Sequence, residues 1–461
     1  MLYIMPEMEK FMEEKLNAYI DKMVNVVDSI NKIDPEYFTK YSVKKGLRNS
    51  DGSGVLVGLT EIGEVHGYVL YEGERKEDEG RLVYRGIDVY ELVRGFQKEK
   101  RFGFEEVCYL LLFGKLPNSS ELTEFTELLG GLRALPNGFT EDMILKAPSS
   151  DIMNKLARSV LAAYSYDDQP DSIDPKNLLR QSIELIARFP TMAAYGFQAK
   201  SHYYGGQSLY IHSPIPELST AENILHMIRP DNKYTQSEAE ILDLALVLHA
   251  EHGGGNNSTF AARVVSSTET DTYSAIAAAV GSLKGPKHGG ANIKAMNMLA
   301  DIKEHVEDWA DDDQVRNYLV KIINKEAFDK AGLIYGMGHA VYTLSDPRTI
   351  LLKEKAHELA IEKGREKEFL LYDAVERIAP DVFAQAKGTS KNICANVDLY
   401  SGFVYDALGI PTELFTPLFA VARIVGWCAH RIEEVVCMQK IIRPAYKSIS
   451  KPDKFLPMDE R

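Results

Sequence analysis

Ser237-Glu238-Ala239-Glu240-Ile241-Leu242-Asp243-Leu244-Ala245-Leu246-Val247-Leu248 opens with the spacing of a capping box and then turns apolar on almost every side of a helical wheel. A helix that is apolar all round is a buried one, so this stretch predicts the centre of a helical core. Its C-terminal end delivers His249 and His252, followed by Gly253-Gly254-Gly255, where backbone can come close to a ligand. Downstream of Gly86 the text is helical nearly everywhere, and Thr416-Pro417 reads as an N-cap with proline at the first helical position, opening a helix that runs to about Met438. The predicted fold is therefore mainly α. Towards the N-terminus the pattern changes. Val55-Leu56-Val57, Tyr68-Val69-Leu70-Tyr71 and Leu82-Val83-Tyr84, broken by Gly63, Gly67 and Gly86, predict a small hairpin or two. Ahead of them, Glu7 to Ile33 spaces Phe11, Leu16, Ile20, Met23, Val27 and Ile30 as an amphipathic helix that needs a partner surface, within the chain or on a second copy.

The chain has 461 residues, more than the roughly 250–300 at which one hydrophobic core stops growing, so two domains or one domain with a large insertion is expected, with a cleft between. Hydrophobic residues at 45% and charged residues at 26% describe an ordinary soluble globular chain. Lys plus Arg number 53 and Asp plus Glu 67, so the net charge is 53 − 67 = −14, which argues against nonspecific binding to nucleic acid or an anionic membrane. An anionic substrate must then be met by individual arginines. Glu7, Glu9, Glu13 and Glu14 make the first 30 residues unlike a signal or transit peptide, and no run of about 20 apolar residues suggests a membrane span. Cys108, Cys394, Cys428 and Cys437 form no C-x-x-C pair and read as small buried hydrophobes of a reducing cytoplasm.

Three short segments carry the candidate chemistry: Gly285-Pro286-Lys287-His288-Gly289-Gly290-Ala291-Asn292, Gly336-Met337-Gly338-His339 with Asp346-Pro347-Arg348, and Asn396-Val397-Asp398-Leu399-Tyr400-Ser401-Gly402. Two imidazoles and a carboxylate, each beside glycine, suit proton transfer. Alone, each has a plainer reading: His288 as a structural loop histidine, His339 as a turn histidine bonded to backbone, Asp398 as a turn or cap. Apolar neighbours should raise the Asp398 pKa and strengthen it as a base. Asn292 is a candidate cap for the helix after His288. Gly336-x-Gly338 lacks the third glycine and preceding strand of a dinucleotide fingerprint, which disfavours a nicotinamide cofactor. Arg423 is the only charge between Pro417 and Ala429. If buried it needs a carboxylate, from the protein or from a ligand. Arg443, after Ile441-Ile442, has the same two readings. His249 and His252 lack the spacing and third ligand of a zinc site. The acidic run Glu307 to Asp313 reads as a solvated connection. Boundaries near Asn292 and Lys391 would make residues 292–391 a smaller inserted domain, leaving 1–291 and 392–461 as the larger one.

The three segments, with Arg423 and Arg443 after them, resemble citrate synthase in spelling and order. Leu59-Thr60-Glu61-Ile62-Gly63, Arg188-Phe189-Pro190-Thr191, Leu248-His249-Ala250-Glu251-His252 and Ile442-Arg443-Pro444 extend the likeness over most of the chain. The resemblance implies a two-domain helical homodimer with a small N-terminal β-hairpin region. It also implies condensation of acetyl-CoA with oxaloacetate, with no metal and no cofactor beyond the acyl-CoA substrate. By position, Asp398 would be the base, His288 the donor to the thioester oxygen and His339 the group that polarises the oxaloacetate carbonyl. His252, Arg348, Arg423 and Arg443 would bind the substrate carboxylates, Arg443 from the partner subunit, and Gly336, Met337 and Gly338 would hold CoA through their backbone. Thr343 departs from the family, which usually places there a basic residue for a CoA phosphate; Lys387 or Lys391 are alternatives. A 2-methylcitrate synthase using propionyl-CoA is the nearest other reading, and a noncatalytic regulatory protein with the same fold is the alternative of a different class.

Overall fold

A computed structural model describes residues 6–50, 52–71, 74–388, 392–438 and 440–460. Lys391 lies outside them. The chain forms two compact units, Met1–Val57 and Gly58–Arg461. The first holds the Pro6–Ile30 helix, a short helix at Glu36–Lys40 and a turn at Lys45–Leu47. The apolar stripe of the long helix is exposed, with Phe11 63% and Ile30 72% accessible.

The second unit begins with a three-stranded antiparallel sheet in the order β1 (Gly63–Tyr71), β2 (Glu74–Tyr84), β3 (Ile87–Asp88). Val55-Leu56-Val57, expected as strand, is irregular chain with Leu56 85% accessible; its pairing stops at the isolated Arg48–Gly54 bridge and the Val55 N–H bond to the Leu47 carbonyl at 2.9 Å, too short a ladder to make a strand. A register shift between His66 and Tyr68 bends β1. Two glycines let the sheet carry a loop on its back. A Cβ at Gly67 would lie 2.7 Å from the Val341 carbonyl oxygen, and one at Gly80 would collide with the Ser345 carbonyl. The Gly80 N–H also donates to Ser345 Oγ at 3.0 Å.

The rest is helical. Gln236–His249 is buried through most of its length, as the apolar text requires, but its capping box is Thr235 with Glu238 rather than one that starts at Ser237. Phe415–Glu433 is the central helix, buried along nearly its whole length and continued by a π-turn over Glu434–Met438. Thr412–Met438 is long and apolar enough to cross a membrane, yet 83% of its most apolar window is covered by the protein itself. Thr416 is not the cap expected of it: the helix has already started, and its hydroxyl donates to the Gly289 carbonyl at 3.0 Å. Asn292 likewise lies inside the Ala291–His305 helix, which Gly290 precedes. Its amide donates to Ser401 Oγ at 2.6 Å and ties that helix to Val397–Ala407. Val397–Ala407 also packs on Pro347–Glu362. Among the cysteines, Cys108 and Cys428 are buried as expected, whereas Cys437 is exposed.

Candidate active site

His339 lies in an irregular loop and Asp398 in the first turn of a helix, and one asparagine holds the two together. Asn396 Oδ1 accepts from the Asp398 N–H at 3.0 Å, capping the helix, while its Nδ2 donates to the Gly338 carbonyl at 2.8 Å. Backbone bonds run alongside, Gly338 N–H to Cys394 O at 2.7 Å and Asn396 N–H to Gly336 O at 2.9 Å, around a bridge between Met337 and Ala395. Gly336 and Gly338 take φ of +82° and +85°, a backbone that suits glycine, and a Cβ on Gly336 would strike Leu399 at 2.9 Å. Val341 and Tyr342 N–H groups both donate to His339 Nδ1 at 3.1 Å, so the ring proton sits on Nε2. The His339 ring stacks on Tyr342 at 4.6 Å and meets His252 edge-on at 5.2 Å. Burial pushes the Asp398 carboxyl up to about 6 against the pull of Arg348.

Another side of the site is lined by buried arginines and histidines. Arg423 is fully buried; its Nε donates to the His249 carbonyl at 2.5 Å, and Nη1 and Nη2 have no hydrogen-bond partner among the described residues. Burial lowers its pKa to about 10. Arg348 differs, since Asp346 grips it through Nε at 3.0 Å and Nη2 at 2.7 Å, so its charge is already paired within the chain. His252 is buried with Nε2 unpartnered, and burial followed by the Arg348 charge drives it well below the ordinary histidine value. His249 instead uses Nδ1 to bond the Ala245 carbonyl at 2.7 Å, a helix-end role. His288 Nε2 lies 3.1 Å from Ser258 Oγ, which also accepts from Trp427 Nε1 at 3.1 Å. Burial, then the Arg423 charge, lowers His288 to about 4, so it is a neutral imidazole at physiological pH.

The contacts that join these residues do not reach Arg443, which is exposed in the irregular segment after Met438. A cavity of about 170 Å³ opens beside His339, lined by Ile334, Met337, Gly338, Thr343, Phe383 and Asn392 among others. Thr343 is buried there with its hydroxyl unpartnered. Asn396 and Ser258 escaped the reading of the sequence, since each acts on a neighbour. The Asn-x-Asp spacing before an apolar run is a capping signal that could have found Asn396.

The family profile for citrate synthase, C-terminal domain, matches residues 50–445. The chain belongs to the citrate synthase family. It is 36% identical over 385 residues to citrate synthase of Synechocystis sp., covering 83% of this chain and 89% of the relative. It is 32% identical to 2-methylcitrate synthase of Shewanella oneidensis, covering 82% and 92%. Among solved structures, citrate synthase of Pyrobaculum aerophilum superposes with a TM-score of 0.72 at 30% identity, covering 89% of this chain and 94% of that one. Citrate synthase of Thermoplasma acidophilum, solved as a ternary complex with carboxymethyl coenzyme A and oxaloacetate, gives 0.73 at 27% identity, covering 91% and 99%.

Proposed function

We infer that this member of the family condenses acetyl-CoA with oxaloacetate and hydrolyses the thioester to citrate and CoA. The observation that carries the reading is Arg423, a buried guanidinium whose two Nη groups face no protein acceptor. Such a fork suits a carboxylate, and leaving it unmatched costs several kcal/mol on the usual scale for buried charge. His252 Nε2, also unpartnered, supplies a second polar contact for oxaloacetate. His339 directs its Nε2 proton at the ketone that is attacked. Asp398 takes the methyl proton of acetyl-CoA, its raised pKa bringing it closer to that of a weak carbon acid. One Ser258 hydroxyl proton cannot serve both Asn256 Oδ1, 2.9 Å away, and His288 Nε2. Given to His288, it leaves Nδ1–H for the thioester oxygen, where enol charge develops. Arg348, its charge paired with Asp346, offers its remaining guanidinium edge to substrate. Met337 and Gly338 line the cavity expected to take CoA, and Gly336 precedes them in the same loop.

The reading extends to a homodimer in the cytoplasm in which Arg443 serves the partner's site, and to residues 292–391 moving as a smaller domain over the cleft. It calls for no metal or redox cofactor. Free-thiol release with oxaloacetate and either acetyl-CoA or propionyl-CoA tests it. Turnover with acetyl-CoA at the higher kcat/KM is expected. Preference for propionyl-CoA would make the product 2-methylcitrate, and no thiol release from either would support the noncatalytic alternative.

A further inference from the structure

Glu251 stands between His249 and His252 in sequence, and its carboxylate is completely buried. Oε1 accepts from the Gly253 N–H at 2.5 Å and from His430 Nε2 at 2.9 Å, while Oε2 has no partner among the described residues. His430 is itself fixed, because Arg263 donates to its Nδ1 from Nε at 3.1 Å and Nη2 at 2.6 Å. Arg263 in turn is gripped by Glu434 at 2.7 Å and by Glu433. The carboxylate therefore cannot swing.

Its free oxygen turns towards the central helix at Gly426. A Cβ there would lie 2.5 Å from Glu251 Oε2 and 3.5 Å from Arg423 Cδ, so acid and arginine flank the same bare turn. They form no ion pair, and the Arg423 fork stays unpartnered. Among the described residues, the ionisable groups that act most on Arg423 besides Glu251 are Tyr84, Arg348 with its own Asp346, and Tyr342, and Arg423 acts in turn on the uncharged imidazoles of His249, His252 and His288. Glu251 is thus the carboxylate left to balance it. Burial raises the Glu251 pKa, but His430, Arg423 and the Gly253 N–H more than offset this, so the group is ionised.

We propose that Glu251 is a fixed counter-charge that carries buried Arg423 through the empty state and, by repelling the incoming carboxylate, limits how tightly oxaloacetate binds. It is a positioning residue, acting through Arg423. The proposal rests on the reading of Arg423 as a carboxylate ligand. A charge that touched Arg423 would block the fork, whereas one held off to the side neutralises without occupying it. Substrate then adds a second anion to a guanidinium that is already partly balanced.

Glu251→Gln keeps the shape and the acceptor for His430. The melting temperature without ligand should fall, while the oxaloacetate KM drops severalfold and the oxaloacetate-induced rise in melting temperature grows. Glu251→Asp should restore most of the wild-type KM. A purely structural residue would instead lower melting and raise KM, and an unchanged or higher KM in folded Glu251→Gln overturns the proposal. If the single variant does not fold, the pair with Arg423→Leu decides: losing both charges should recover melting lost with Glu251 alone. Strictly additive losses, or a double variant that also fails to fold, refute the counter-charge. These melts need no substrate, so they remain decisive if the wild-type protein neither binds nor turns over oxaloacetate, a result that would count against the substrate reading alone.

Discussion

Asp398 puts its chemistry on a pH axis. Its carboxyl is raised to about 6 by burial, and only the ionised form accepts a proton, so kcat/KM should fall about tenfold per unit as pH drops below 6 and level off above it. His288, lowered to about 4, is still neutral where that limb begins and so does not set its onset. A pH–rate profile of thiol release measures this; an acid limb near 4 would remove Asp398 as the base. Asp398→Asn should lower kcat by at least about 10²-fold, the usual contribution of a positioned base, while oxaloacetate still raises the melting temperature. Thr343 makes a different case. It is buried with its hydroxyl unpartnered among the described residues, against the cavity. Thr343→Val should therefore raise stability by on the order of 1 kcal/mol in thermal melts without ligand. If the hydroxyl meets acyl-CoA, the same variant raises the acyl-CoA KM and leaves kcat alone.

At the scale of elements, the hairpin serves as a backing plate for the loop that carries His339. Gly80→Ala drives a methyl group into the Ser345 carbonyl, and overpacking of this kind costs about 1–3 kcal/mol. Displacement of residues 341–345 should reach His339 through the two N–H groups that set its tautomer. We expect thiol release to fall by more than tenfold in a protein that still melts cooperatively; unaltered kcat would show that the loop keeps its geometry without the sheet.

For the whole molecule, Arg443 decides whether one chain makes a complete site. Hybrid dimers formed from Arg443→Leu and Asp398→Asn subunits should recover activity, because one of their two sites then combines an intact Asp398 with an intact Arg443 of the partner. No recovery on mixing would mean that Arg443 serves its own chain or none. The helical architecture was legible because an apolar stripe repeats at the helical period whatever its surroundings, as in Ile241 to Leu248. Helix ends were less so: Thr235 and Ser237 are both cap-type residues, and only the fold shows that Glu238 closes the box with Thr235. Arg423 announced itself as a lone charge in apolar text. Glu251, Ser258 and Asn396 did not, because each acts through a histidine, an arginine or a helix end brought close by folding. The exposed stripe of the Pro6–Ile30 helix was readable as amphipathic, but what covers it was not.

The strap between residues 336–338 and 394–396 has a kinetic side as well. Its backbone bonds, Gly338 to Cys394 and Asn396 to Gly336, join segments almost sixty residues apart in a miniature ladder. Loops ordinarily trade their amide hydrogens with solvent quickly. These two amides should resist deuterium as long as their neighbours in the Val397–Ala407 helix do, and should surrender it together, so the catalytic loop would open only when that helix end also frays.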